Sequence, residues 1–201
     1  MGAWHYRQQL TIFSSKETTG KEENIKITQK YVSSLLSGKN YKDENFPVSS
    51  FLIEKKLQKI VRAFYLYART ADDVADHASI KTKEKLRILN FIDNCLKNKK
   101  RSEISVVNNL IAYFDEYKFS KKYSRNLLTA FKLDATKKRY KNWSELLYYC
   151  KFSANPVGRF VINVTYSQKK RKINQNKILY ASDSLCTALQ IINHIQDCKE
   201  D

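Results

Sequence analysis

The chain has 201 residues, enough for one domain with a sizeable core, but only four glycines and two prolines, Pro47 and Pro156. So few turn formers exclude a sandwich or barrel of many short strands and predict an all-α protein of long helices on short connections. The formal charge of +17 asks for an anionic partner or a solvated surface. Its basic runs, Lys97 to Arg101, Lys137 to Lys141 and Lys169 to Lys172, fall where the hydrophobic period breaks, and no nucleic-acid motif accompanies them. They read as solvated loops, with no nucleic acid expected and an anionic membrane surface as the weaker alternative partner.

Residues 1–24 hold glycine, serine and threonine with little periodicity, and are expected to form a poorly ordered arm ahead of a helical domain over 25–201. A short helix is predicted from Ile25 to Leu36, its apolar side made by Ile25, Ile27, Tyr31, Leu35 and Leu36, with Gly38 as the stop. Asn45-Phe46-Pro47 opens a long helical region that runs to about Asp76. Amphipathic stretches follow after Thr82, after Ser102 as an N-cap and after Ser120 as another. Asn142 with Glu145 resembles a capping box, Asn155-Pro156 predicts a break, and a helix is expected over Val157 to Val164. The last helix is predicted from Lys177 to the terminus, with Leu185, Leu189, Ile192 and Ile195 along one side.

Cys95, Cys150, Cys186 and Cys198 have no CxxC spacing and read as reduced, mostly buried thiols of a cytosolic chain. The opening MGAWHYRQQL lacks the apolar run of a signal peptide, and no window approaches the roughly 18 apolar residues of a membrane span. Both point to the cytoplasm, with peripheral contact at an inner membrane as the further option.

The sharpest local feature is Arg69-Thr70-Ala71-Asp72-Asp73-Val74-Ala75-Asp76. On a helix Asp72 and Asp76 share a face at i,i+4, where like charges repel, so helix stability does not account for them. A magnesium ion would, because it prefers oxygen ligands and bridges one or two carboxylates to a substrate phosphate. Asp197 and Asp201 repeat the spacing, with Gln190 and Asn193 just upstream. One such pair alone is more often a solvated face. Two pairs, the first preceded by the apolar run Phe64-Tyr65-Leu66-Tyr67, favour metal held at the end of a buried helix.

The segments FYLYARTADDVAD (Phe64 to Asp76), YYCKFSANPVGR (Tyr148 to Arg159) and LCTALQIINHIQDCKED (Leu185 to Asp201) resemble the first aspartate motif, the central pocket segment and the second aspartate motif of the squalene/phytoene synthases. ENFPVSS, Glu44 to Ser50, resembles the bacterial hydroxysqualene synthase branch of that family. The resemblance implies an isoprenoid synthase-type helical bundle around a central apolar cavity. It implies magnesium ligands at Asp72, Asp76, Asp197 and Asp201. It puts Tyr65 and Arg69 at the diphosphate end, and Gln190 and Asn193 as polar groups of the second-motif helix. It further implies a pocket wall of Tyr149, Ala154, Val157 and Gly158, and an aromatic at Phe46 near a prenyl site. His77 and His194 are not ligands in the family and read as bystanders.

The function implied is conversion of presqualene diphosphate and water to hydroxysqualene and pyrophosphate, beside a partner synthase and an oxidoreductase of the squalene pathway. The alternatives are a head-to-head condensing synthase acting on farnesyl diphosphate and a non-catalytic member serving as an assembly partner. Family members continue for several helices past the second motif, so the chain is expected to be C-terminally incomplete.

Overall fold

The computed structural model describes residues 26–38, 54–98, 101–137, 139–167 and 175–197, apart from the side chains of Lys56, Gln175 and Asp197. Among these residues the regular structure is entirely helical: α1 (Gln29–Ser33), α2 (Lys55–Asp76), α3 (Thr82–Asn98), α4 (Ser105–Tyr117), α5 (Lys122–Thr136), α6 (Trp143–Ser153), α7 (Asn155–Tyr166) and α8 (Gln175–Asp197). The expected arm, the Asn45-Phe46-Pro47 opening, Cys198 and Asp201 lie outside the described residues.

Helix α2 is the axis of the bundle and packs against α3, α4, α5 and α7. Its apolar residues recur at the helical period, so Leu57, Ile60, Phe64, Tyr67, Ala71 and Val74 all turn inward and are buried. Each large apolar side chain so buried contributes about 1.5–3 kcal/mol before its ordering entropy. Phe64 stacks on Phe160 of α7 at 3.8 Å between ring centroids. The Tyr67 hydroxyl donates to the Ser124 carbonyl at the start of α5 (2.8 Å), so a phenol inside the core keeps a partner. Helices α2 and α5 run the same way, which brings their C-terminal ends together. Helix α3 runs back against α5, with Thr82 donating to the Ala135 carbonyl and Arg125 bonded to Asp93 (2.6 Å).

Several ends differ from the sequence reading. Helix α1 is shorter than Ile25 to Leu36: Thr28 caps it by accepting from the Tyr31 amide, and it stops at Ser33. Past that point the helical period no longer applies, so Leu35 is buried while Leu36 is 39% exposed. Ser102 and Ser120 are not N-caps. Ile104 and Lys121 hold those positions, and the serine hydroxyls accept instead from the Ile104 and Lys122 amides in the turns just before. Asn142 does cap α6 through the Glu145 amide, but the Glu145 carboxylate reaches the Lys141 amide and the Lys137 ammonium, so the box is half formed. The break before Pro156 is present: Ala154 ends α6 and begins α7, with the proline in the first turn, where its missing N–H costs nothing.

Helix α8 packs on α7 and α6. Its apolar row does lie on one side, but that side faces out: Leu185, Leu189, Ile192 and Ile195 are 61, 37, 49 and 66% exposed. The side turned to the bundle carries Cys186 and Gln190, both buried, together with half-buried Ser182, Asp183, Thr187 and His194. Gly158 is what lets α7 and α8 meet. A Cβ there would stand 2.6 Å from the Cys186 sulfur and closer still to the Ser182 hydroxyl.

Candidate functional site

The C-terminal turns of α2 place Arg69, Asp72, Asp73 and Asp76 as i,i+3 and i,i+4 neighbours. Arg69, Asp72 and Asp73 are all buried and Asp76 is half-buried. Arg69 holds the first two aspartates with separate nitrogens, Nη1 to Asp72 at 3.5 Å and Nη2 to Asp73 at 3.0 Å. The same Nη2 donates to the Ser37 hydroxyl (3.1 Å), and the Ser37 amide donates to Asp73 (3.1 Å). Asp73 and Arg69 thereby tie the segment after α1 to the end of α2.

Asp72 points the other way, into the bundle. Burial pushes its carboxyl well above the usual range, and the charges of Asp76, Asp134 and Asp73 push further against the opposing pull of Arg69. Asp134 reaches this place from the end of α5 and accepts a hydrogen bond from the Tyr149 hydroxyl of α6 (3.0 Å, both buried). Burial foremost, then the Asp134 charge, raises the Tyr149 phenol well above its ordinary value, so it stays a donor at any physiological pH. The Tyr149 ring in turn lies 5.7 Å from the His194 ring of α8 and 5.2 Å from Tyr140. Four helices therefore converge in the order Asp72, Asp134, Tyr149 and His194.

Asp134 escaped the sequence reading, although a signal was present. It follows Leu127 and Phe131 at the helical period, so a charged residue sits in a buried apolar stripe. His194, not expected to be a ligand, packs its ring against the tyrosine that braces Asp134. His77 instead accepts from the Ser79 amide just past the end of α2.

The other expected positions fall as follows. Gln190 is buried on α8, one turn before His194, and Asn193 is half-buried beside it. Asp197 lies three residues past His194 on the same helix, at the same end of the bundle. Ala154 is buried at the α6–α7 junction, and the neighbouring Asn155 accepts from Thr187 of α8 (2.9 Å). Val157 packs on the core, Gly158 lies at the α7–α8 crossing, and Tyr65 is half-buried on α2. Two clefts, of about 690 and 500 Å³, open elsewhere on the described surface, away from these residues.

The model of the squalene/phytoene synthase family matches residues 39–201. The chain belongs to that family. Hydroxysqualene synthase of Zymomonas mobilis is 41% identical over 188 residues, which is 92% of this chain and 60% of the relative. Hydroxysqualene synthase of Rhodopseudomonas palustris is 40% identical over 84% of this chain and 55% of the relative. The chain thus spans little more than half the length of these relatives. In structure, the squalene synthase HpnC of Alicyclobacillus acidocaldarius superposes with a TM-score of 0.64 at 24% identity, covering 84% of this chain and 60% of that one. The all-α isoprenoid synthase fold read from the sequence is the observed one.

Among the described residues no three His, Cys, Asp or Glu side chains close into a ready metal cage. For magnesium this is no misfit, because it usually takes one or two carboxylates and completes its shell with waters and substrate phosphate. The donor set here, Asp72 with Asp76 one turn on, is all oxygen and short of positive charge, which suits such an ion. The thiols do not compete. Cys95, Cys150 and Cys186 are free and buried, and burial pushes the Cys150 thiol up to about 11.

Proposed function

We propose that this chain carries the diphosphate-ionising part of a hydroxysqualene synthase. The reaction is presqualene diphosphate plus water to hydroxysqualene and pyrophosphate. The observation that carries the reading is the Asp72 carboxylate, held inside the bundle beside Asp76 and Asp134 against its own electrostatics. Such strain is kept where a cation is to be bound. The 40 and 41% identity to hydroxysqualene synthases supports this branch of the family.

In this reading Asp72 and Asp76 would hold magnesium, with Asp197 and, outside the described residues, Asp201 as further ligands. Bound there, magnesium supplies Lewis-acid neutralisation of the leaving pyrophosphate. Arg69 fixes the Asp72 carboxylate and adds positive charge at the diphosphate end. Tyr149 positions Asp134 and presents its ring as pocket wall, beside Ala154, Val157 and Gly158. Tyr65, and Phe46 outside the described residues, offer aromatic faces to the developing carbocation. Gln190 and Asn193 are the polar groups that hold water or phosphate oxygen on the α8 side.

The substrate arises by head-to-head condensation of two farnesyl diphosphates, and the product is consumed by an oxidoreductase. The substrate is a lipid, and the charge of +17 favours collection at an anionic bilayer by peripheral contact. No helix among the described residues is long and apolar enough to cross a membrane. The second reading, the condensing reaction itself, draws on the squalene synthase with the same fold.

The test incubates the protein with presqualene diphosphate and, separately, with farnesyl diphosphate, with and without magnesium. Products are read by mass spectrometry and binding by calorimetry. Magnesium-dependent binding of presqualene diphosphate with release of hydroxysqualene is the expected result, and Asp72→Ala should abolish both. Presqualene diphosphate or squalene formed from farnesyl diphosphate would move the assignment to the condensing reaction. Full activity in Asp72→Ala would remove the metal role.

A further inference from the structure

The larger cleft, of about 690 Å³, lies where the end of α3 faces the turn between α4 and α5. Lys97, Lys118, Lys121, Lys122 and Arg125 line it, against only two carboxylates, Asp93 and Asp115. Those carboxylates are already engaged, Asp93 by Arg125 (2.6 Å) and Lys132 (3.4 Å), and Asp115 by Lys121 (3.9 Å). The surplus is Lys97, Lys118 and Lys122, all exposed. Phe119 is half-buried in the lining, and Leu96 and Phe114 are buried beneath it.

Two features work against local stability unless an anion is present, and a third sets the geometry. The first is the crowding of like charge. The second is the start of α5: Lys121 and Lys122 sit at the positive end of its dipole, and no acidic residue lies in its first turn. The third is the turn itself. Lys118 has φ 54°, the single non-glycine positive φ among the described residues, where glycine or asparagine would cost less. The Phe119 amide closes that turn onto the Phe114 carbonyl (2.9 Å), which aims residues 118 to 122 around one mouth.

We propose that this cleft is a phosphate-binding site separate from the aspartate centre. Asp134 stands nine residues past Arg125 on α5, about 14 Å away along the helix axis. The ligand class is a phosphate-bearing molecule held through its anionic oxygens. The phosphate comes either from an anionic lipid headgroup or from free pyrophosphate. The site does not depend on the reaction proposed for the aspartates.

The experiment uses the 201-residue chain with magnesium removed by chelator, so that the aspartate centre takes no part. One arm titrates inorganic pyrophosphate by calorimetry. The other floats the protein with phosphatidylcholine vesicles with and without phosphatidylglycerol. The triple variant Lys97→Gln, Lys118→Gln, Lys122→Gln should lose roughly tenfold or more of the affinity seen in either arm. A control triple of the same charge change at exposed positions, Lys30→Gln, Lys55→Gln, Lys151→Gln, should keep it, and so should Asp72→Asn. Loss in the pyrophosphate arm identifies a soluble anion, and loss in the vesicle arm alone identifies a headgroup. Binding in neither arm, or equal weakening in the control triple, overturns the site. Thermal melts of both triples establish that each is folded.

Discussion

Replacing Asp72 with asparagine should raise the stability of the protein while removing the metal-dependent activity proposed for it. Asp72 is 4% exposed. At an effective dielectric of about 20, Arg69 at 3.5 Å attracts it by about 5 kcal/mol. Asp76 one turn away, at about 6 Å, returns about 3 kcal/mol of repulsion on the same scale. Asp134 and Asp73 add more, and Arg69 is shared with Asp73. The pair terms nearly cancel, which leaves the desolvation of the carboxylate uncompensated. Asparagine keeps the shape and does not orphan Arg69, which retains Asp73 at 3.0 Å. Relief of a strained functional residue is typically about 0.5–2 kcal/mol, which for a chain of this size is a rise of up to roughly 8 °C in Tm.

The pH dependence fixes the sign independently. The folded carboxyl titrates above its ordinary value of 3.8, so the folded form holds the proton more tightly than the unfolded form does. The stabilisation this gives is fully present below about pH 3.8 and disappears as pH rises through the raised folded value. The advantage of Asp72→Asn should therefore be small in acid and grow toward neutrality. Urea denaturation across pH, with and without magnesium chloride, is the assay. Magnesium should raise the midpoint of the parent protein and leave the variant unmoved. A variant less stable than the parent at neutral pH, or a stability difference that does not change with pH, would refute the reasoning.

Tyr149→Phe removes the hydroxyl that donates to Asp134. It should cost about 1–3 kcal/mol in urea denaturation, with a coupling to Asp134→Asn above about 0.5 kcal/mol in a double-mutant cycle. Additive effects would mean that the pair does not act together. Gly158→Ala drives a Cβ into Ser182 and Cys186 and should cost about 1–3 kcal/mol, with hydrogen exchange quickening first in α8. Unchanged protection there would contradict the close crossing. Burial alone would raise the Asp93 carboxyl, but the hydrogen bonds and charges of Arg125 and Lys132 win and hold it low. The stability it gives is present above the ordinary carboxylate range and is lost as pH falls through the depressed value. Asp93→Asn should cost under about 1 kcal/mol at neutral pH and nothing at the acid end, read from the same pH series.

By itself the sequence determined the helical class, because a chain so poor in glycine and proline and so regular in its apolar spacing has few other ways to bury a core. It also determined that the end of α2 is special. An aspartate pair at i,i+4 behind Phe64-Tyr65-Leu66-Tyr67 has no use in a helix for its own sake, and its first member, Asp72, is found buried in the bundle with Asp76 half-buried one turn on. Residue spacing could not say which groups from other helices meet that pair. Asp134, Tyr149 and His194 come from three further helices, and only the parallel run of α2 and α5 brings the ends of those two together. The same limit explains α8. Its period shows that Leu185, Leu189, Ile192 and Ile195 share a face, but periodicity is blind to which face a neighbour covers. In this fold α7 requires close approach at Gly158, and the side of α8 that can supply it carries Ser182, Cys186 and Gln190. The helix therefore turns its polar face toward the site and its apolar face outward. Local chemistry set each helix and its stripe, and the packing of helices against one another decided which stripes became core and which acids became a site.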